Sequence, residues 1–264
     1  MRQAGNGIKP NQKIMTHQQK SDQTRYVVRL AETAAELHAI LKVRYEVLRV
    51  DFSMYTPENS AGTDIDQWDT QACHLGLWKL THGQETPIGY MRIIQTNPVP
   101  VGKEVLKIVK AFPSLENQSR RTSKNPIRFL EIFQGCEEAR IKYDGLVSEK
   151  IMEGSRLAVK REYRDLYLGR FLVECSFALF YGDDRFHHGF IEVRENHFPA
   201  YYRYGFRQVV SKYVPEDGGS HILCYAHYSD LPGPVNGKLS AMREEFDRYG
   251  EIVFRPNTGK TKIL

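Results

Sequence analysis

The stretch Met152-Glu153-Gly154-Ser155-Arg156-Leu157-Ala158-Val159 constrains this chain more than any other. It reads as a strand that carries one acid and one base three residues apart. Arg161, Arg164, Gly169 and Arg170 follow at once, in a basic, glycine-containing turn. Leu168 to Tyr181 is then apolar nearly all round, so the helix it predicts is largely buried. A strand feeding a helix whose first amides lack intrahelical partners is one way of holding a phosphate. A buried Glu153 and Arg156 just ahead of such a turn point to a reaction centre beside it.

The remaining pattern places this unit in a larger sheet. Tyr26 to Leu30 predicts a strand. Thr33 and Glu36 form a capping-box pair ahead of a helix whose apolar residues, Leu37, Ile40, Leu41, Tyr45 and Leu48, recur at helical spacing until about Asp51. Phe52 to Thr70 reads as a long loop. Cys73–Leu80 and Pro87–Gln95 predict a hairpin turning near Gly83. A short helix is expected over Lys103–Phe112 and a loop over Pro113–Asn125. Arg128–Ala139 fits strand and helix alike. Gly189–Val193, Phe206–Tyr213 and His221–Tyr228 read as strands, Phe198–Tyr204 as a short helix ended by Gly205, and Lys238–Tyr249 as a last helix. The order predicts one sheet covered by helices, of α+β or α/β class. The expected organisation is a disordered basic arm over 1–24, a domain over 25–230, and a C-terminal extension over 231–264 packed on it.

Composition excludes several classes. The chain has 264 residues, 41% hydrophobic and 26% charged, which suits a globular protein with a sizeable core. Its net charge is +5. It carries no zinc-finger spacing, basic helix or RNA-binding signature, so a nucleic-acid partner is not expected. An anionic co-substrate arm or an acidic protein accounts for the charge equally well. No apolar run reaches the roughly 18 residues of a membrane span. The four cysteines are scattered without a Cys-x-x-Cys pair, which predicts reduced thiols in the cytoplasm and no metal. No bound cofactor is expected.

Two motifs then narrow the reading. Arg164-Asp165-Leu166-Tyr167-Leu168-Gly169 resembles the R-x-x-G-x-G/A pyrophosphate loop of the GNAT acyltransferases, with Tyr167 where the first glycine is usual. Ala200-Tyr201-Tyr202-Arg203-Tyr204-Gly205-Phe206 is similar to their A-x-Y-x-x-x-G-F signature, shifted by one residue. The series continues upstream with Arg44, then Asp64-Ile65-Asp66-Gln67-Trp68-Asp69, His74, Gly89-Tyr90-Met91-Arg92, and Glu153-Gly154-Ser155-Arg156. That series resembles the acyl-homoserine-lactone synthases and their relatives, the N-acyl amino acid synthases and exosortase-associated acyltransferases, over roughly Tyr26 to Tyr213. The chain departs from the lactone synthases at Leu48, at Met54 or Tyr55, at Asp64, and in a longer connection from Phe112 to Glu153. These departures touch positions expected to hold S-adenosylmethionine, and the longer N-acyl amino acid synthases fit better.

The resemblance implies a GNAT-like α/β sandwich: a mixed, mostly antiparallel sheet flanked by helices, with a V-shaped splay between two central strands. It implies transfer of a fatty acyl group from a thioester, on acyl carrier protein or on coenzyme A, to the amine of an amino acid or a derivative. Glu153 takes the acceptor's proton, and Tyr201, with Tyr202 next, stands near the leaving sulfur. Leu157, Val159, Arg161, Arg164, Gly169 and Arg170 lie along the donor's phosphopantetheine arm; the arginines also suit the acidic carrier protein. Arg44, Asp64, Asp66, Asp69, Arg92 and Arg156 form a charge network. For Asp66, Asp69 and Arg92 a structural role and direct substrate contact are both open, and Arg156 either orients Glu153 or binds a carboxylate. A non-catalytic module sensing an acyl thioester is the alternative, motivated by Tyr167.

Overall fold

The computed structural model describes residues 24–51, 61–96, 102–112, 115–116, 125–146, 149–181, 186–213 and 220–255. Of the expected basic arm, 1–23 lie outside these, as do 52–60 of the long loop and most of 113–124.

β1 (Arg25–Leu30) passes into α1 (Ala34–Tyr45), which runs on through a π-helical turn, Glu46–Asp51. The capping box closes as expected: the Glu36 N–H donates to Thr33 Oγ1 at 3.2 Å, and the Thr33 N–H to Glu36 Oε2 at 3.3 Å. β2 (Ala72–Thr81) and β3 (Gln84–Gln95) form the hairpin. His82 and Gly83 both take positive φ, 51° and 76°, as a two-residue turn matched to strand twist requires. α2 spans Gly102–Ala111. The ambiguous Arg128–Ala139 contains α3 (Phe129–Ile132) and the start of α4 (Glu137–Asp144). Gly135, at φ 83°, lies between the two helices, so neither is long enough to show a period.

β4 (Ile151–Val159) leads through a 3-10 turn, Arg161–Leu166, into α5 (Leu168–Phe180). β5 (His188–Arg194), α6 (Phe198–Tyr202), β6 (Arg207–Tyr213) and β7 (His221–His227) follow. After Leu231 the chain supplies α7 (Gly233–Tyr249) and β8 (Ile252–Val253), which pairs with β1 at the sheet edge.

Among the described residues eight strands form one sheet in the order β6-β7-β5-β4-β3-β2-β1-β8, antiparallel except between β4 and β5. This is the α+β class expected. Alternation sends β-strand side chains to two separate cores. Val28, Leu75, Leu77, Met91, Ile93 and Met152 meet α5 and, through Leu239 and Met242, α7. Val27, Trp78, Tyr90 and Ala158 meet α1 and α2 on the other face, and Ile94, Ile151, Phe190 and Leu223 meet α3 and α4 there. From Phe171 to Phe180 α5 is buried on every side, Glu174 included.

Two irregularities in the central strands shape the site. The parallel β4–β5 ladder holds four pairs, from Ile151↔His188 to Gly154↔Ile191, and then ends. Ser155 to Val159 therefore have no β5 partner, which is the expected splay. Between Tyr90↔Ala158 and Arg92↔Ser155, Met91 faces two residues, Arg156 and Leu157. This is a β-bulge with Arg156 at φ 57°.

Gly205 closes the turn after α6 at φ 83°, and a Cβ there would lie 2.6 Å from the Asp230 carbonyl oxygen. Gly205→Ala is expected to lower stability by about 2 kcal/mol, from backbone strain and this contact together. Urea unfolding measures it, and an unchanged midpoint would mean that the turn relaxes freely.

Candidate active site

Six residues expected to form a charge network meet on the α1 face of the sheet. Arg44 on α1 is fully buried. Its Nη1 and Nη2 donate to Asp69 Oδ1 and Oδ2, both at 2.8 Å, and its Nε lies 2.7 Å from Asp64 Oδ2. Arg92 on β3 donates through Nη1 to Asp66 Oδ1 at 2.5 Å and Asp69 Oδ1 at 2.9 Å, and through Nε to Ser155 Oγ at 3.0 Å. Arg156 reaches Asp66 Oδ2 at 3.3 Å. The bulge makes this contact possible, because the extra residue keeps Ser155 and Arg156 on neighbouring parts of one face. Three arginines thus balance three aspartates, and the cluster is neutral without a ligand. Arg92 Nη2 and Arg156 Nε are buried donors with no acceptor among the described residues.

Burial raises the Asp66 carboxyl, but Arg92 first, then Arg156 and Arg44, overcome this and hold it at about 2. Asp69 is held lower still against the same burial by Arg44 and Arg92. Both carboxyls are depressed in the fold. Their contribution is therefore complete above the ordinary carboxylate range near pH 4 and, for Asp66, is lost as pH falls toward about 2.

His74 and Tyr90 support the network from below, and neither role was evident from sequence. Burial lowers the His74 imidazole to about 4, so it is neutral. Its Nε2 lies 3.0 Å from the Asp69 carbonyl and must donate; its Nδ1, 2.7 Å from the Tyr90 hydroxyl, then accepts. The Tyr90 oxygen in turn accepts from Arg44 Nη1 at 2.9 Å. The chain of donors fixes one tautomer and one orientation of Arg44.

Glu153 sits further along β4 on the same face, fully buried. Arg128 Nη1 donates to its Oε1 at 3.1 Å and the Phe129 N–H to its Oε2 at 2.8 Å. Burial raises its carboxyl, and Arg128 and the Phe129 amide only partly offset this. Arg128 also donates to Glu192 on β5, and Glu192 bonds His221 on β7. Sequence reading missed Arg128, Glu192 and His221. The one available signal was Glu192, an acid inside the otherwise apolar Gly189–Val193 strand.

Of the residues expected along the donor's arm, Leu157 and Val159 lie in the half of β4 left without a β5 partner. Tyr167 caps α5 at φ 58°, ψ 16°, the left-handed conformation that a glycine would adopt. Tyr167 thus supplies this positive φ without being a glycine, and the residue is 71% exposed. Tyr167 makes no side-chain cap, and among the described residues no side chain bonds the first amides of α5. Gly169 approaches Val159 across the turn; a Cβ on it would lie 3.8 Å from Val159 Cγ2. The basic residues are less free than their spacing suggested. Arg164 donates to the Val159 carbonyl at 2.9 Å and pairs with Asp51. Arg170 bonds Glu174 at 3.1 Å and Lys160 bonds Glu46 at 3.0 Å. Arg161 is exposed and has no ion-pair partner among the described residues.

Tyr201 is half-buried against Phe206, apart from the charge network. Burial, with Cys224 nearby, pushes its hydroxyl up to about 12. That hydroxyl has no hydrogen-bond partner among the described residues. Tyr202 is exposed under Arg207, and the buried Tyr204 donates to Glu174 at 3.0 Å. Among the described residues no helix is long and apolar enough to cross a membrane, and no group of three or more His, Cys, Asp or Glu is arranged to hold a metal.

No curated protein matches the sequence. Matching solved structures include FeeM, an N-acyl amino acid synthase from uncultured soil microbes, at 15% identity over 81% of this chain and 99% of that one, with a TM-score of 0.47. BjaI, a coenzyme-A-dependent acyl-homoserine lactone synthase with S-adenosylmethionine and isopentyl-coenzyme A, matches at 16% identity over 84% and 89%, TM-score 0.48. An acyl-CoA N-acyltransferase from Pseudomonas aeruginosa matches at 18% over 77% and 99%, TM-score 0.46. Residues 43–174, half of the chain and the span that holds the charge network, Glu153 and the turn into α5, match the acetyltransferase (GNAT) domain, and the chain belongs to that family of acyltransferases.

Proposed function

We propose that this acyltransferase moves a fatty acyl group from acyl carrier protein to the amine of an amino acid, giving an N-acyl amino acid. The observation that carries the donor assignment is the charge balance at the turn. Coenzyme A brings a diphosphate and a further phosphate, whereas the carrier's pantetheine arm brings one phosphodiester. Of Lys160, Arg161, Arg164 and Arg170, three are already paired within the fold. Arg161 and the open amides of α5 match one phosphate better than three. The unpaired edge of β4 from Ser155 to Val159 offers backbone groups to the amide-bearing arm.

In this reading the acceptor's carboxylate lies against Arg92 Nη2 and Arg156 Nε, the donors left without acceptors. Its ammonium faces Glu153. The N–H bond breaks, the proton passes to a Glu153 oxygen, and the freed lone pair forms the C–N bond at the thioester carbonyl. A β4 amide near Leu157 or Val159 polarises the carbonyl oxygen. The C–S bond then breaks and the sulfur takes the Tyr201 proton. The second nitrogen proton returns to Tyr201 through solvent, and Glu153 releases its proton before the next turnover. A phenol held near 12 is protonated at neutral pH, as a donor must be before it acts.

Thiol release with one acyl group presented on carrier protein and on coenzyme A, against a pool of amino acids, tests this; mass spectrometry identifies the product. The carrier thioester is expected to exceed coenzyme A by about tenfold or more in kcat/KM, and Arg161→Ala to raise the carrier KM several-fold at unchanged kcat. Equal use of both donors would overturn the donor assignment. Absence of any N-acyl amino acid would overturn the acceptor class.

A further inference from the structure

Glu153 does not stand alone on its strand. The parallel ladder pairs Glu153 with Phe190, so Glu192, two residues on, emerges on the same face of the adjacent strand. Both carboxylates lie where that ladder ends and the splay begins. One cation, Arg128, lies between them. Its Nη1 lies 3.1 Å from Glu153 Oε1, and its Nη1 and Nη2 lie 3.1 Å from Glu192 Oε2. Arg128 comes from the connection between β3 and β4. The next residue in that segment, Phe129, holds the other Glu153 oxygen through its N–H.

We propose that Arg128 and Glu192 are a positioning pair that sets the proton affinity and the aim of Glu153, making the β3–β4 connection part of the acyl-transfer machinery. The proposal rests on the reading of Glu153 as the base. Arg128 divides one charge unequally: Glu192 receives two contacts and Glu153 one. Glu192 is further bonded by His221 Nδ1 at its other oxygen. Arg128 and His221 together overcome burial and hold Glu192 at about 2, so it stays ionised and keeps drawing on Arg128. Glu153, left with the smaller share, remains raised by its burial. The other charge facing it is Arg92 on β3, itself engaged by Asp66 and Asp69. Each Glu153 oxygen accepts one hydrogen bond, and a carboxylate has lone pairs to spare for the proton it must take. The two fixed bonds from adjacent residues remove its rotational freedom, so the remaining lone pairs point one way.

Opposite effects of the two partners distinguish this device from general support. Removing the cation disfavours ionised Glu153, and removing the competing carboxylate favours it. In Arg128→Gln the Glu153 titration, followed by carbon NMR of glutamate labelled at Cδ and identified by its loss in Glu153→Gln, is expected to rise by about one pH unit or more. In Glu192→Gln it is expected to fall by a similar amount, and Arg128→Lys is expected to lie near wild type. The acid limb of kcat/KM against pH moves with it in each variant. Titrations that stay put, or that move the same way in both variants, would overturn the proposal. Titrations that move as expected under an unmoved acid limb would keep the coupling but remove Glu153 as the base, and with it the catalytic part. If Arg128→Gln does not fold, the downward shift in Glu192→Gln alone decides.

Discussion

Asp69→Asn is expected to destabilise the protein by about 3–5 kcal/mol, the cost of breaking a buried ion pair from one side. Asp69 is fully buried and receives four hydrogen bonds: two from Arg44, one from Arg92 and one from the Asp66 N–H. Asparagine keeps the shape and removes the charge. It leaves three guanidiniums against two carboxylates, with Arg44 and Arg92 fully buried. Against a typical domain stability of about 5–15 kcal/mol, this is a large fraction. Urea unfolding should show a lower midpoint with an unchanged slope. The same substitution at Asp66, whose side chain is 22% exposed, should cost less, because water can take over part of its role. The comparison settles what the network is for. A stable Asp69→Asn protein that no longer uses its acceptor would make Asp69 a substrate ligand. A destabilised one that retains kcat for the folded fraction would make it the brace that holds the 61–71 segment on the sheet.

The sequence revealed those parts of the site that are local or that carry a residue type with few alternative uses. The Thr33–Glu36 cap, the turn near Gly83 and the apolar α5 each depend on spacing within a few residues, and each formed as read. Arg44, Asp64, Asp66, Asp69, Arg92 and Arg156 are charged residues in otherwise apolar or loop contexts, so a shared burial was the economical explanation. Partner choice was not legible. Nothing in the sequence indicates that Asp51 takes Arg164 or that Glu46 takes Lys160, because those pairs form only when the helical turn after α1 meets the end of β4 and the turn that follows it. The β4 bulge was equally hidden: Arg156 is not a residue whose identity announces a positive φ, and neither is Tyr167. Arg128 lies just ahead of two helices too short to show a period, so its approach to Glu153 and Glu192 depends entirely on the tertiary fold.

Glu153→Gln is expected to lower kcat by about 10²–10⁴-fold, the usual contribution of a positioned general base, while leaving the donor KM near its wild-type value. The amide is isosteric. Its oxygen can still accept from the Phe129 N–H, and Arg128 keeps Glu192, so the fold is expected to lose about 1–2 kcal/mol at most. A large rate effect with a small stability effect separates a base from a brace, and the contrast with Asp69→Asn makes the distinction internal to one protein. Glu153→Asp adds a geometric control. It keeps the charge but withdraws the carboxylate by about one carbon–carbon bond, so it should recover ionisation but not reach, and kcat should stay low because proton transfer needs hydrogen-bond distance. Recovery of full activity in Glu153→Asp would mean that charge near the splay matters and the direct proton transfer does not. Wild-type turnover in Glu153→Gln would leave deprotonation of the acceptor to solvent, and Glu153 would then be a buried acid retained for its bonds to Arg128 and Phe129.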